Sequence, residues 1–279
     1  MAISAQEVAK LRKMTGAGMM DCKKALEESN GDYEEAIAII RKKGQLVASK
    51  RADRETTEGC VIAKVSADGS KGVLVVLSCE TDFVAKGADF VKFTQAIAEV
   101  ALQNNASDLN TVKTLKVEGL NIAEGIDGKV AVIGEKITLS YFGKLEAQEV
   151  TAYIHPGNKL ACLVGFNKNI ADKQTGKDIA MQVAAMNPVA VDKDSVPEEV
   201  VKNELDIALE QTRNDPKNTG KSAELLEKIA KGRLEKFYRE QTLLNQEFIK
   251  DSKLTVRDYL KNADKDLAVT NFLRFSLAQ

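Results

Sequence analysis

The one histidine and four cysteines are the side chains of this chain best suited to nucleophilic or metal chemistry. His155 and Cys162 could pair as imidazole and thiol, but an odd spacing on one uninterrupted strand would place them on opposite faces. No third group to orient the imidazole is evident. A single histidine also excludes a His-rich metal site. We therefore expect a turn histidine and a buried thiol rather than an enzyme, and we expect no metal site and no cofactor.

The segment DPKNTGKS at 215–222 resembles a phosphate-binding loop of the form G-x-x-x-x-G-K-[ST]. Asp215 stands where the first glycine belongs, and a carboxylate there would repel phosphate. The segment also lies between two predicted helices, whereas a phosphate loop follows a strand. Carboxylates elsewhere are scattered, so acid–base catalysis has no evident site. We interpret 215–222 as the turn of a helical hairpin.

The composition is that of a globular chain with two or three domains. It has 279 residues, of which 44% are hydrophobic and 29% charged, and 40 basic residues nearly balance 41 acidic ones. This balance argues against a dominant nucleic-acid surface. The N-terminus has no apolar signal core, and no apolar run approaches the roughly 20 residues of a membrane span. The four cysteines (Cys22, Cys60, Cys79 and Cys162) form no C-x-x-C pair and are typical of reduced thiols in a cytoplasmic protein.

The first 44 residues predict a bundle of three short helices. Ser4 and Glu7 form a capping box, and Gly16 ends the first helix. The second helix lies in GAGMMDCKKALEESNG, and the third begins after Asp32 and ends at Gly44. The polar residues 45–58 are expected to be a linker, helical or extended.

From Gly59 the pattern changes to an α+β core, in which we predict two duplicated subdomains, 59–145 and 146–279. Each has two strands around a turn, Asp68-Gly69 in one and Pro156-Gly157 in the other, followed by a helix. The first helix is predicted from about residue 90 to 104, capped by Asp89, and the second ends before Pro188. Between the subdomains, GKVAVIGEKITLSYFGKLEAQ is predicted to form another strand pair.

The second subdomain is expected to contain an inserted antiparallel helical hairpin at about 195–241. Ser195 and Glu198 are predicted to cap its first helix, and SAELLEKIAKGRLEKFYRE forms the second. A short helix at TVRDYLKN and a strand at NFLRFSLAQ follow.

The segment CETDFVAK, at 79–86, follows the most hydrophobic stretch, GVLVVLS, which predicts a buried strand. A strand that ends in Asp82 and Phe83 has two interpretations. Asp82 could cap a short turn while Phe83 enters the core, or both could project toward another molecule. Composition alone favours the core.

Several segments together resemble bacterial elongation factor Ts, the guanine-nucleotide exchange factor for elongation factor Tu. They are LRKMTGAGMMDCKKALEESNGDYEEAI, CETDFVAK, IGE at 133–135, YIHPG with LACLVGFN, and IAMQVAAMNP. The resemblance covers nearly the whole chain and implies that the N-terminal bundle is UBA-like. Two features differ from the family. HPGNKL replaces a glycine-arginine-rich turn, and the sequence ends with FLRFSLAQ, where some members continue into a further helix.

The resemblance also implies residue roles. Thr81, Asp82, Phe83 and Val84 would dislodge Mg²⁺ from the partner, and Phe83 is then a projecting ring rather than a core residue. Partner contacts would come from Met19, Lys23, Ile133, Gly134, His155 and Ile249, although each also suits an ordinary structural position, and core burial is favoured for Ile249. The hairpin would either steady the core or mediate self-association, as a homodimer or a 2:2 complex. No direct contact with nucleic acid or membrane is implied. A different class of function stays open, that of an adaptor that binds peptides or nascent chains through residues 1–44.

Overall fold

The computed structural model describes residues 3–277, which form an α+β protein. The N-terminal bundle consists of helices α1 (Ala5–Thr15), α2 (Met19–Glu28) and α3 (Tyr33–Ser49). The predicted capping box of Ser4 and Glu7 is confirmed, and Gly16 ends α1 in the left-handed conformation with φ of 70°. The bundle core is small and is built from Val8, Leu11, Ala17, Cys22, Ala25, Leu26 and Ala36.

The prediction that the third helix ends at Gly44 is wrong, because α3 continues to Ser49 and makes the first part of the 45–58 linker helical. Gly44 is buried where α3 crosses a later helix, α7 (Ile122–Ile133). A Cβ atom on Gly44 would lie 3.2 Å from the carbonyl oxygen of Asp127. The glycine therefore permits close helix packing instead of ending the helix. Beyond it, Val47 and Ala48 pack against the core of the first sheet.

Two three-stranded antiparallel sheets follow, and they share one topology. The first contains β1 (Glu58–Val65), β2 (Lys71–Cys79) and β5 (Thr138–Glu146), and the second contains β6 (Glu149–Ile154), β7 (Leu160–Phe166) and β10 (Val269–Ser276). In each, a hairpin leads into a long helix, α5 (Ala88–Gln103) or α8 (Lys173–Met186), and a later strand pairs with the second hairpin strand. The predicted turns are confirmed, with Gly69 and Gly157 at positive φ.

The sheets pack face to face, which accounts for the continuous burial of β2. Residues on one face of β1 and β2 contact the helices, and the alternate residues contact the second sheet. The core between the sheets contains Val61, Ala63, Leu74, Val76, Leu145, Val150, Ala161 and Leu163. At Gly72 a Cβ atom would lie 2.8 Å from Cγ1 of Val150, so the sheets approach too closely there for a side chain.

The remaining elements include short segments and the helical hairpin. They are α4 (Asp82–Ala85), α6 (Leu109–Thr114), β3 (Lys116–Val117), β4 (Leu120–Asn121), α9 (Glu198–Asn214), α10 (Ala223–Gln241), β8 (Glu247–Phe248), β9 (Asp251–Thr255) and α11 (Val256–Ala263). The hairpin of α9 and α10 is confirmed, and residues 215–222 form its turn. Asp215 accepts a hydrogen bond from the backbone N–H of Lys217 at 3.0 Å, as a turn carboxylate does. Within residues 3–277, no helix has the length and apolar character needed to cross a membrane.

Three further local predictions are wrong. The segment 128–148 is not a strand pair, because its first part belongs to α7, where Ile122, Ile126 and Val130 recur at helical spacing and are buried. The N-cap of α5 is Gly87, and Asp89 lies in the first turn, where a carboxylate still favours the helix dipole. The N-cap of α9 is Pro197 rather than Ser195, which ends a preceding 3₁₀ turn.

Candidate functional site

The most exposed large apolar side chain in the described part of the chain is Phe83, on a one-turn helix directly after β2. Its side chain is 85% exposed, so the interpretation of Phe83 as a core residue is wrong. Thr81 is the N-cap of α4, and its Oγ1 accepts a hydrogen bond from the Val84 N–H at 3.5 Å. The alternative in which Asp82 caps the turn is therefore also wrong.

The base of this turn is anchored although its tip is exposed. Ala85 is buried and Val84 is packed against the core of the first sheet. Behind the turn, the Cys79 thiol donates to the carbonyl oxygen of Thr81 at 3.2 Å. The next helix begins immediately, and a Cβ on Gly87 would lie 3.1 Å from the carbonyl oxygen of Val84. The ring of Phe83 consequently projects from a fixed support, which suits it to insertion into a partner.

Asp82 is a charged neighbour of the ring. Its Oδ2 accepts a hydrogen bond from Lys86 Nζ at 2.6 Å. This hydrogen bond lowers the pKa of Asp82, with further help from the charges of Lys86 and Lys159. The side chain is therefore an anion at neutral pH, available to bind or repel charged groups of a partner.

A carboxylate from a distant part of the sequence lies beneath the turn. Glu135, two residues past the end of α7, accepts hydrogen bonds from the backbone N–H groups of Glu80 and Thr81 and from the Thr81 hydroxyl. The segment Ile133–Gly134 thus lies next to the Thr81–Val84 turn. Glu135 belongs to the IGE segment, but the sequence gives no sign of its role, because the residues that it contacts lie more than 50 positions earlier.

The other predicted contact residues occupy separate parts of the surface. Met19, Ile133 and Ile249 are 47%, 39% and 42% exposed, so the favoured burial of Ile249 is wrong. Lys23 forms an exposed ion pair with Glu27 at 3.8 Å, and Gly134 ends α7 with φ of 79°. Within residues 3–277, neither Met19 nor Ile249 forms a hydrogen bond with the Thr81–Val84 turn.

His155 lies in the turn between β6 and β7. Its Nδ1 is 3.0 Å from the Tyr153 hydroxyl. Lys159, in the same turn, forms an ion pair with Glu58 at 2.8 Å and also lowers the pKa of Asp82 by its charge. The 155–159 turn and the Thr81–Val84 turn therefore flank one end of β1.

The possible thiol–imidazole pair does not form. Cys162 is fully buried in β7, and its thiol donates to the carbonyl oxygen of Ala180 at 3.1 Å, whereas the His155 ring pairs with Tyr153. Burial raises the pKa of Cys162 to about 12. Within residues 3–277, no group of three or more His, Cys, Asp or Glu side chains is arranged to hold a metal ion.

The buried cysteines give a chemical prediction. Burial raises the pKa values of Cys60, Cys79 and Cys162 to about 11, 12 and 12 from 9.0, so at pH 8.5 their thiolate fractions are far below that of an ordinary thiol. We expect the native protein to resist iodoacetamide at this pH and the urea-unfolded protein to be alkylated at all four cysteines. Mass spectrometry after timed quenching measures both. Rapid alkylation of Cys162 without unfolding would contradict the buried, unactivated thiol.

Comparison with known proteins decides the family. The family model described as "Elongation factor TS" matches residues 80–279, which include the Thr81–Val84 turn, the IGE segment, the hairpin of β6 and β7, and the helical hairpin of α9 and α10. The chain belongs to the elongation factor Ts family. Curated elongation factor Ts proteins are similar over almost their full length. Those of Porphyromonas gingivalis and Amoebophilus asiaticus are each 49% identical, over 278 and 276 residues, and cover 99% and 98% of both chains.

A third elongation factor Ts, from Christiangramia forsetii, is 46% identical over 276 residues, covering 99% of this chain and 98% of its own. Membership of the elongation factor Ts family confirms the resemblance found in the sequence and places the chain among factors of translation elongation. The match begins at residue 80, so the family model itself does not include the N-terminal bundle. The full-length relatives do include it.

Proposed function

We propose that this elongation factor Ts family member is a guanine-nucleotide exchange factor that binds elongation factor Tu with bound GDP and promotes GDP release. The observation that carries the proposal is the exposure of Phe83, 85%, on a turn whose base is buried. An exposed phenylalanine forgoes the stabilising free energy that burial of its ring would supply. The protein would gain this free energy if the ring is buried in a complex.

The proposed mechanism needs no catalytic group in this chain, which we regard as a binding protein rather than an enzyme. Mg²⁺ demands near-ideal octahedral geometry at short distances, so a small displacement of its ligands weakens binding sharply. Phe83 and Asp82 would enter the partner beside this site, with Thr81 and Val84 as their support. Preferential binding of the nucleotide-free partner then weakens nucleotide binding by the same factor.

The proposed docking surface includes residues of the N-terminal bundle and of both sheet-containing subdomains. The contact residues are Met19, Lys23, Ile133, Gly134, His155 and Ile249. The exposure of Met19, Ile133 and Ile249 supports this assignment. We assign residues 1–44 as a UBA-like binding module, and 59–145 and 146–279 as duplicated subdomains, which the shared sheet topology supports. The hairpin of α9 and α10 would either steady the core or mediate self-association, as a homodimer or 2:2 complex. A translation factor of this kind would act in the cytoplasm.

The adaptor function is not favoured by any observation. The bundle is joined to the core through α3, which packs along α7 and contributes Val47 and Ala48 to the core of the first sheet. A module held in this way suits a shared docking surface better than an independent peptide-binding arm. We therefore retain the exchange function alone.

The proposal predicts a complex whose stability depends on nucleotide. We expect this protein and elongation factor Tu to co-elute in size-exclusion chromatography after nucleotide and Mg²⁺ have been removed. Added Mg²⁺·GDP should separate them, because the two ligands oppose each other by linkage. A complex that forms equally well with saturating Mg²⁺·GDP would contradict exchange and indicate a simple binding protein.

A further inference from the structure

Glu135 is the side chain that links the beginning of the Phe83 turn to the segment after α7 by hydrogen bonds. We propose that Glu135 is a positioning residue for exchange, which acts through Thr81 by fixing the direction in which Phe83 projects. This inference rests on the proposed exchange function and deepens it, since it names the group that prepares the inserting turn.

The two carboxylate oxygens of Glu135 accept hydrogen bonds from different donors. Oε2 accepts from the backbone N–H groups of Glu80 at 3.2 Å and Thr81 at 3.0 Å. Oε1 accepts from the Thr81 hydroxyl at 2.6 Å. A hydroxyl has one proton, and Thr81 gives it to Glu135, so a lone pair is left for the Val84 N–H. The carboxylate therefore orients the cap that begins α4.

Glu80 completes a reciprocal arrangement. While its backbone donates to Glu135, its own carboxylate accepts from the Lys136 N–H at 2.6 Å and from Arg54 at 3.0 Å. The Lys136 ammonium donates to the carbonyl oxygens of Ala52 and Arg54 at 2.6 and 2.7 Å. The end of β2, the segment after α7 and residues 52–54 are thus held to one another by charge-assisted hydrogen bonds.

The turn needs such support because a single helical turn is unstable alone. Nucleating one turn of helix costs more conformational entropy than its first hydrogen bond returns. The cap of α4 is a long hydrogen bond, and of the four residues of α4 only Ala85 is fully buried. Without Glu135 the beginning of the turn would lose its hydrogen-bonded support, and the direction of the ring would have to be fixed after docking. The loss of conformational entropy on ordering the ring would then oppose its insertion, but it would not oppose the earlier binding of other surfaces.

The test separates insertion from docking by following GDP release from elongation factor Tu over a range of concentrations of the full-length protein. We expect Glu135→Ala to lower the plateau rate about tenfold, as the loss of a charge-assisted hydrogen bond implies, with little change in the half-saturating concentration. Thr81→Val should act similarly, and Thr81→Ser, which keeps the hydroxyl, should retain the rate. The double variant Glu135→Ala/Thr81→Val should have a plateau rate no lower than that of the slower single variant, since both substitutions remove the same hydrogen bond between Thr81 and Glu135.

The matched control is Glu146→Ala, which removes an exposed carboxylate that pairs with Lys144 at the far end of β5. If the wild-type protein accelerates release and Glu135→Ala and Thr81→Val match it, the positioning role is wrong while the exchange function stands. A raised half-saturating concentration at unchanged plateau would also overturn it, because Glu135 would then be a docking contact. If the wild-type protein itself fails, the exchange function is wrong.

Hydrogen exchange tests the positioning separately from activity. In Glu135→Ala the amides of Thr81 and Val84 should exchange faster, while the melting temperature and the amides of β7 stay as in the wild type. Unchanged protection at Thr81 and Val84 would overturn the inference whatever the exchange assay shows. If Glu135→Ala does not fold, Thr81→Val and Thr81→Ser decide the question by the same two measurements.

Discussion

Replacing Phe83 with alanine is expected to lower the plateau rate of GDP release from elongation factor Tu about thirtyfold, the effect of losing a hot spot of about 2 kcal/mol. The side chain is 85% exposed and makes little contact with its own protein, so folding should be unaffected. The loss should fall on the rate rather than on complex formation, because the ring acts after the partner has docked. Stopped-flow fluorescence of labelled GDP, at several protein concentrations, measures both quantities.

Two variants make this result interpretable. Phe83→Leu keeps an apolar side chain but removes the flat ring, and its plateau rate should lie between those of the wild type and Phe83→Ala. Val189→Ala truncates another exposed apolar residue, after α8 and outside the proposed contacts, and should leave the rate unchanged. Equal losses in plateau rate and affinity for Phe83→Ala would make the ring an anchor and would remove it from the displacement of Mg²⁺.

The second large effect is expected at the N-terminal bundle, where Met19→Asp should raise the half-saturating concentration about tenfold, as burying a charge at an apolar contact implies. The plateau rate should stay as in the wild type, because Met19 belongs to the N-terminal bundle and not to the turn that carries Phe83. Met19 is the first residue of α2, where a carboxylate is favourable to the helix dipole. The bundle should therefore stay folded, and circular dichroism checks this.

Val189→Asp is the matched control, since it places the same charge at an apolar site that is as exposed as Met19 but lies outside the proposed contacts. A reduced plateau with unchanged half-saturation for Met19→Asp would contradict a docking role for the bundle. This point variant is a cleaner test than deletion of residues 1–55. Such a deletion would remove Val47 and Ala48 from the core of the first sheet and confuse lost binding with lost stability.

Local signals in the sequence were sufficient for much of the fold. The capping box of Ser4 and Glu7, the turn at Gly69 and the hairpin turn at 215–222 depend on residues within a few positions of one another. For the same reason, hydrophobic periodicity located β1, β2, β6 and β7. The family resemblance, not composition, selected the exposed position of Phe83, since composition alone favoured the core.

What the sequence could not show depends on contacts between distant residues. Gly44 has the local features of a helix end, but its neighbour across the crossing is Asp127 in α7. The role of Glu135 depends on Thr81, which is 54 residues earlier in the chain. An isoleucine is most often buried, which favours a core position for Ile249, but this residue lies in the turn between β8 and β9 and is exposed.

The most direct test of the account is the release of labelled GDP from elongation factor Tu, measured by stopped flow with and without an excess of the full-length protein. The account predicts that release accelerates with protein concentration to a plateau, and that raising Mg²⁺ opposes the acceleration, because the metal and this protein compete for the same conformations of the partner. A GDP release rate unchanged at stoichiometric and higher concentrations of this protein would contradict the account.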